Sequence, residues 1–291
     1  MTSSHSNRQV NAALLTVQVI FGVHYLVARG IVTEISPAAW AATRVAAATV
    51  ILAGLTLATR RRWPHPRHWG WLAVCAVFGV AANQILFLEG LARTTASRAA
   101  LINSQIPTFA LLAAIVMKQE SLSRRKVGSF VLAIGGVVVL LEADKLQVSN
   151  QYLTGDLLNL ANALSYGLFI AISRRVMPRH DTMSATTMVF VFGLVLVAAY
   201  GGNQAIHLEW ASISSRTIGG MIFAVLGATV LTYGLNVWAL QRVRTSRVAL
   251  WIFLQPVVAA SLDLALGSTL TPRFLVATVL VFLALLIRDD S

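Results

Sequence analysis

The side chains with chemistry to offer are amides, phenols and one deep imidazole, set at helical spacing inside long apolar runs. Asn159, Asn162 and Tyr166 fall at i, i+3 and i+7, one face of a helix. Asn103 and Pro107 share a face, with Gln105 two residues off it, and Trp251 and Gln255 stand at i and i+4 just before Pro256. Tyr233 and Asn236 lie three apart, and Asn83, Gln84, Gln18 and His24 complete the set. A polar side chain in hydrocarbon costs about a few kcal/mol unless it meets a partner or water, so these groups are expected to face the interior of a helix bundle. Together they predict an uncharged, polar and aromatic cavity. Such a lining suits a zwitterion or neutral metabolite: Asn103, Asn162 and Gln255 can donate to a carboxylate, and carbonyls freed by the prolines can bind an ammonium or a water. Each feature also has a plainer use, the amides as staples between helices, the prolines as kinks, and His24 as a hydrogen-bonded packing residue rather than a proton carrier.

Catalytic constellations are missing. The chain has no H-E-x-x-H, no G-x-S-x-G, no phosphate loop and no paired carboxylates within its apolar runs, so no nucleophile or metal centre can be assembled, and neither an enzyme nor a cofactor is expected. The single cysteine, Cys75, lies in an apolar run, which leaves no disulfide framework and no thiolate site. Arg44, about 10 Å in from the start of its helix, is expected to form a structural pair with Glu89 or Asp263.

The elements that carry these residues must cross a membrane. Hydrophobic residues make up 57% of the 291 and charged ones 12%, a balance that a water-soluble domain could not cover with polar surface. The net charge of +12 comes from basic residues in short runs between apolar segments, where they set orientation rather than bind nucleic acid. Apolar periodicity predicts an all-α integral membrane protein with ten spans, at about 10–31, 37–59, 70–91, 97–117, 126–141, 155–174, 184–201, 217–240, 246–266 and 272–287. Proline opens the second and tenth, where its missing N–H has no partner in any case. With both termini cytoplasmic, sixteen Lys and Arg fall on the inner side and six on the outer, a strong positive-inside bias. Trp63, Trp69 and Trp71 would mark the inner boundary, and Trp40 and Trp210 the outer one.

One stretch occurs twice. Ser97 to Pro107 reads SRAALINSQIP and Ser246 to Pro256 reads SRVALWIFLQP, while GVHYLVAR from Gly22 parallels GLFIAISR from Gly167. Each Ser-Arg copy opens a span and carries its proline about 15 Å deep, near the middle of a hydrocarbon core about 30 Å thick. The chain is therefore expected to divide into a repeat over 1–142, a linker over 143–154 and a second repeat over 155–291. Five spans per repeat force the second to enter from the opposite side, so the repeats are inverted, the symmetry of an alternating-access carrier.

The order of these features, with the basic turn that holds Glu120, Leu122 and Ser123, resembles the EamA-type carriers of the drug/metabolite transporter superfamily over nearly the whole chain. The second copy departs from the pattern at Ser268, which stands where Glu120 would fall. The resemblance implies ten helices, cytoplasmic termini, a central substrate cavity, a place in the cytoplasmic membrane and export of amino acids or other small metabolites by a monomer in the lipid bilayer. Within it, exporters of aromatic amino acids carry aromatic residues near the helix 4 proline and in mid helix 6; Tyr166 answers to the second, while Ile106 precedes Pro107.

Overall fold

The fold was analysed in a computed structural model that describes residues 2–94, 99, 102–121, 123–140, 150–265 and 272–287. Ser97, most of the expected linker, Ser268 and Thr271 lie outside the described residues, as do the side chains of Pro256 and Asp263. The described chain is helical. In order, α1 is Thr2–Glu34, α2 Pro37–Ala58, α3 Pro66–Arg93, α4 Ile106–Val116 and α5 Arg124–Leu140. They are followed by α6 Asn150–Val176, α7 Thr182–Ile206, α8 Ser215–Leu240, α9 over 245–265 and α10 Pro272–Leu286.

Local chemistry explains where these helices start and stop. Ser36 caps α2 ahead of Pro37, its hydroxyl accepting from the Ala39 N–H at 3.2 Å. Asp181 and Ser214 do the same for α7 and α8, accepting from the N–H groups of Ser184 and Thr217. Each cap satisfies a donor that the first turn leaves unpaired. At the C-terminal ends of α2 and α4, Arg60 and Lys118 take the left-handed conformation at φ 50° and 56°. The next N–H in each case then reaches back five residues, Arg61 to Thr56 O and Gln119 to Ala114 O, closing the helix with a cation at its negative pole.

Among the described residues, four helical runs are irregular in their middles. The run that carries Pro107 is interrupted by a turn at Ser104 and Gln105, so α4 starts only at Ile106 with proline in its first turn. In α9 a 3₁₀ turn, Trp251–Phe253, separates Thr245–Leu250 from Leu254–Ala265. Proline removes the N–H that would continue the ladder, and the chain tightens one turn before it. Sequence patterning did not announce the other two: π-helical segments at Val77–Ala81 in α3 and Leu226–Leu231 in α8. Their starts are 149 residues apart, the offset that also separates Ser97 from Ser246.

Packing follows the same exchange. α6 packs on α3 and α4, and α1 packs on α8 and α9; α2 lies along α7, and α5 along α10. Glycines allow the closest approaches. A Cβ on Gly22 of α1 would strike Val258 of α9, and one on Gly167 of α6 would strike Phe109 and Ala110 of α4. The glycines of the two GxxxxxxR segments thus mark close helix contacts. Arg29 donates to Leu91 O at 2.9 Å, fastening α1 to the end of α3.

Among the described residues, six helices are long and apolar enough to cross a membrane, at Asn7–Glu34, Pro37–Ala58, Pro66–Arg93, Leu153–Arg179, Thr182–Ile206 and Ser215–Leu240. Large aliphatic side chains such as Val50, Val116, Val195 and Ile206 stand exposed on the outside of the bundle, as a lipid-facing surface requires. One expectation is corrected here. Trp40 is fully buried in the core, whereas Trp63, Trp69, Trp71 and Trp210 are exposed, so Trp40 packs the first turn of α2 and cannot serve as an interfacial anchor.

Candidate functional site

A cavity of about 60 Å³ sits among α1, α2, α3, α4, α6, α8 and α9. It is lined by Phe21, His24 and Tyr25 of α1, Arg44 of α2, Asn83, Gln84 and Phe87 of α3, Asn103 and Ile106 at the break before α4, Asn162 and Tyr166 of α6, Tyr233 of α8 and Gln255 of α9. That volume holds a few waters. It must widen to take a metabolite.

The irregular backbone and the site are one construction. π-Helical and broken segments leave carbonyls without their usual partners, and polar side chains take them up. Tyr233 donates to Gly79 O, and Ser165 to Phe78 O at 2.8 Å, both within the π segment of α3. Arg44 donates to Ala228 O at 3.0 Å and to the Thr229 hydroxyl at 2.6 Å, both in the π segment of α8. The side chain of a phenol or a guanidinium therefore answers the bulge on a facing helix.

The amides join end to end. Asn83 donates to Asn162 Oδ1 at 2.9 Å, Asn162 donates to Asn103 Oδ1 at 3.0 Å, and the Tyr233 hydroxyl reaches Asn83 Oδ1 at 3.2 Å. Asn236 donates to the Tyr166 hydroxyl at 3.3 Å, and Gln255 to Gln18 Oε1 at 2.7 Å. Around them stand aromatic rings, with Tyr25 edge-on to Phe87 at 5.8 Å and Tyr233 edge-on to Phe190 at 4.9 Å. The lining offers hydrogen bonds of both senses and flat apolar faces.

Residues 10–142 and 153–287 each match the EamA-like transporter family. The chain belongs to that family. It is 24% identical over 278 residues to the uncharacterized transporter YyaM of Bacillus subtilis (strain 168), covering 94% of this chain and 91% of that one. It is 30% identical over 177 residues to a probable amino-acid metabolite efflux pump of Salmonella typhimurium, covering 58% of this chain and 59% of that one. A crystal structure with 17% identity superposes at a TM-score of 0.76 over 96% of this chain and 95% of the other, a likeness of fold. The chain is thus a multi-pass membrane transporter of the EamA family, one that acts on a small molecule, rather than an enzyme.

Within this EamA transporter the residues named from sequence divide by their relation to the cavity. Asn103, Asn162, Tyr166, Tyr233, Gln255, His24 and Asn83 line the cavity. Gln18 stands one hydrogen bond behind it, through Gln255. Gln105, Pro107, Asn159 and Trp251 do not line it: Gln105 stands at the start of α4 without a side-chain capping bond, Pro107 is buried in its first turn, Trp251 packs against the core, and Asn159 donates to Gly155 O in its own helix. Pro256 lies in α9, its side chain outside the described residues.

Arg44 does not make the expected pair with Glu89, and the side chain of Asp263, the other expected partner, lies outside the described residues. Among the described residues no carboxylate lies within ion-pair range of it, and Glu89 is taken by Arg93 and the Tyr200 hydroxyl. Arg44 is 2% exposed and lines the cavity, so the lining carries a charge where an uncharged one was expected. Sequence spacing also gave no hint of Phe21, whose helix shows no polar period at that point.

A second opening lies at one end of the bundle. About 690 Å³ in volume, it is lined by Lys118, Arg174, Arg175, Arg179 and Arg244 among others, together with Glu120. Glu120 pairs with the buried Lys126 at 3.1 Å, which gives that acid of the basic turn a structural partner.

Proposed function

We propose that this chain is a secondary transporter of the cytoplasmic membrane that exports small metabolites, with amino acids as its substrate class, neutral and possessing an apolar or aromatic side chain. In this reading it acts as a monomer of ten spans with both termini in the cytoplasm, built from inverted repeats over 1–142 and 155–291 joined by the 143–154 linker. Substrate binds in the midplane cavity, which opens to each side of the membrane in turn.

The observation that carries this reading is the cavity's position. It is lined from both halves of the chain, beside the irregular segments of α3, α4, α8 and α9, the kind of place where half-helices in transporters hold their substrates. The lining supplies amide donors and acceptors together with rings. The efflux pumps of similar sequence, named for amino-acid metabolites, point the same way.

The test is uptake by liposomes containing the purified protein, comparing labelled phenylalanine, tryptophan, threonine and a neutral sugar, with and without a pH gradient. Amino acids are expected to enter, to show accelerated exchange when unlabelled substrate is present inside, and to lose both in Tyr166→Ala. Flux that is linear in concentration and shows no accelerated exchange would indicate a channel. His24→Gln separates proton coupling from simple diffusion down a gradient: unchanged pH dependence in that variant removes His24 from the coupling path.

A further inference from the structure

Arg44 uses three of its N–H groups on the protein, toward Thr229 Oγ1, His24 Nε2 and Ala228 O. A guanidinium has five, which leaves two. Because a guanidinium cannot accept, the 3.0 Å contact between Arg44 Nη1 and His24 Nε2 makes Nε2 the acceptor, and the imidazole proton of the neutral ring stands on Nδ1. That Nδ1 is buried without a hydrogen-bond partner. Gln84 Oε1, on the same cavity, is likewise a buried acceptor without one.

A buried cation costs much free energy unless an opposite charge reaches it, and Arg44 meets none among the described residues. A purely structural staple among α1, α2 and α8 would need the three bonds already made. It would not need spare donors on Arg44. Two unused guanidinium N–H groups at a cavity wall match one chemical group above others, a carboxylate, which accepts on two oxygens.

We infer that Arg44, steadied by His24 Nε2, forms a carboxylate anchor, and that the transported molecule must carry an ionised carboxylate, with Gln84 Oε1 placed to accept from an ammonium on the same molecule. This inference deepens the proposed function and rests on its cavity being the substrate site. Arg44 neutralises and aligns the carboxylate, His24 Nε2 holds the guanidinium in place, and Phe21, Tyr25 and Phe87 bound the space left for the side chain.

Phenylacetate and phenylacetamide, alike except for the charge, test the anchor without requiring transport. With purified protein in detergent, phenylacetate is expected to raise the melting temperature and bind at least tenfold more tightly than phenylacetamide. Arg44→Gln should abolish that preference, and His24→Ala should weaken phenylacetate several-fold while keeping the preference for the acid, because the guanidinium remains. Equal protection by both compounds, protection by neither, or an undiminished preference in Arg44→Gln would overturn the anchor. Should Arg44→Gln fail to fold, Arg44→Lys decides: it keeps the charge but loses the fork, and unaltered phenylacetate affinity would count against the anchor. If labelled phenylalanine is not transported while phenylacetate still protects through Arg44, the amino-acid reading fails and the anchor stands.

Discussion

Asn162 occupies the middle of the amide relay, accepting from Asn83 and donating to Asn103, so three helical segments depend on one carboxamide. Interhelical hydrogen bonds in membranes contribute about 0.6 kcal/mol each on average. Asn162→Leu is therefore expected to lower stability by about 1–2 kcal/mol, the two lost bonds plus the cost of stranded partners, read as a lower unfolding midpoint in detergent. Asn159→Leu, whose amide bonds only its own helix at Gly155 O, should do less to transport while disturbing the contact with Gly90. The polar stripe on α6 was legible because i, i+3 and i+7 share a face. Its division, with Asn159 given to packing and Asn162 and Tyr166 to the cavity, depends on which neighbour each position meets. Arg44 was harder still: its partners Ala228 and Thr229 lie 184 and 185 residues away, and no period within α2 points to them.

Elements meet where glycine removes a side chain. A Cβ on Gly201 of α7 would lie 2.1 Å from Ala38 O of α2, and backbone cannot swing aside as a side chain can. Gly201→Ala is expected to reduce the yield of folded protein sharply, whereas Gly54→Ala, with nothing within 4 Å, should be neutral or stabilising by up to about 1 kcal/mol. Circular dichroism melts of the two variants make the comparison. The turn between α6 and α7 carries a second prediction. Burial first, then the His68 ring and Arg179, hold the His180 imidazole below its ordinary 6.5, and the two rings stand 4.8 Å apart. The folded state thus binds fewer protons than the unfolded one just below that value, so stability present above pH 6.5 is lost as pH falls. His180→Asn should flatten that part of a melting-temperature profile. The helical, membrane-spanning character of the chain and the breaks beside the duplicated prolines were readable from its apolar runs and from the repeat itself. The π segments were not, because residues such as Val77–Ala81 differ in no composition or spacing from an ordinary α-helical stretch.

For the whole molecule, the packing groups differ from the sequence halves. α6 joins α3 and α4, while α1 joins α8 and α9, so each group contains the opening helix of the other half. The cavity lies between these groups, and at the basic end Gln119, just past α4, meets Thr245 at the start of α9, with 3.5 Å between Oγ1 and Oε1. If transport proceeds by one group rocking against the other, this seam must part to admit substrate from the basic side. Cys75, the single native cysteine, is buried, which leaves a clean background. Gln119→Cys with Thr245→Cys, bridged by a cleavable bifunctional thiol reagent in liposomes, is expected to stop uptake, and reduction of the linker should restore it. The same bridge should leave phenylacetate protection in place if only access is blocked, because the Arg44 fork is held by α1, α2 and α8, on which the bridge does not act. Full transport after complete bridging would show that these groups do not separate at this end, and the moving boundary would then have to be sought along α2 and α7, the other long seam of the bundle.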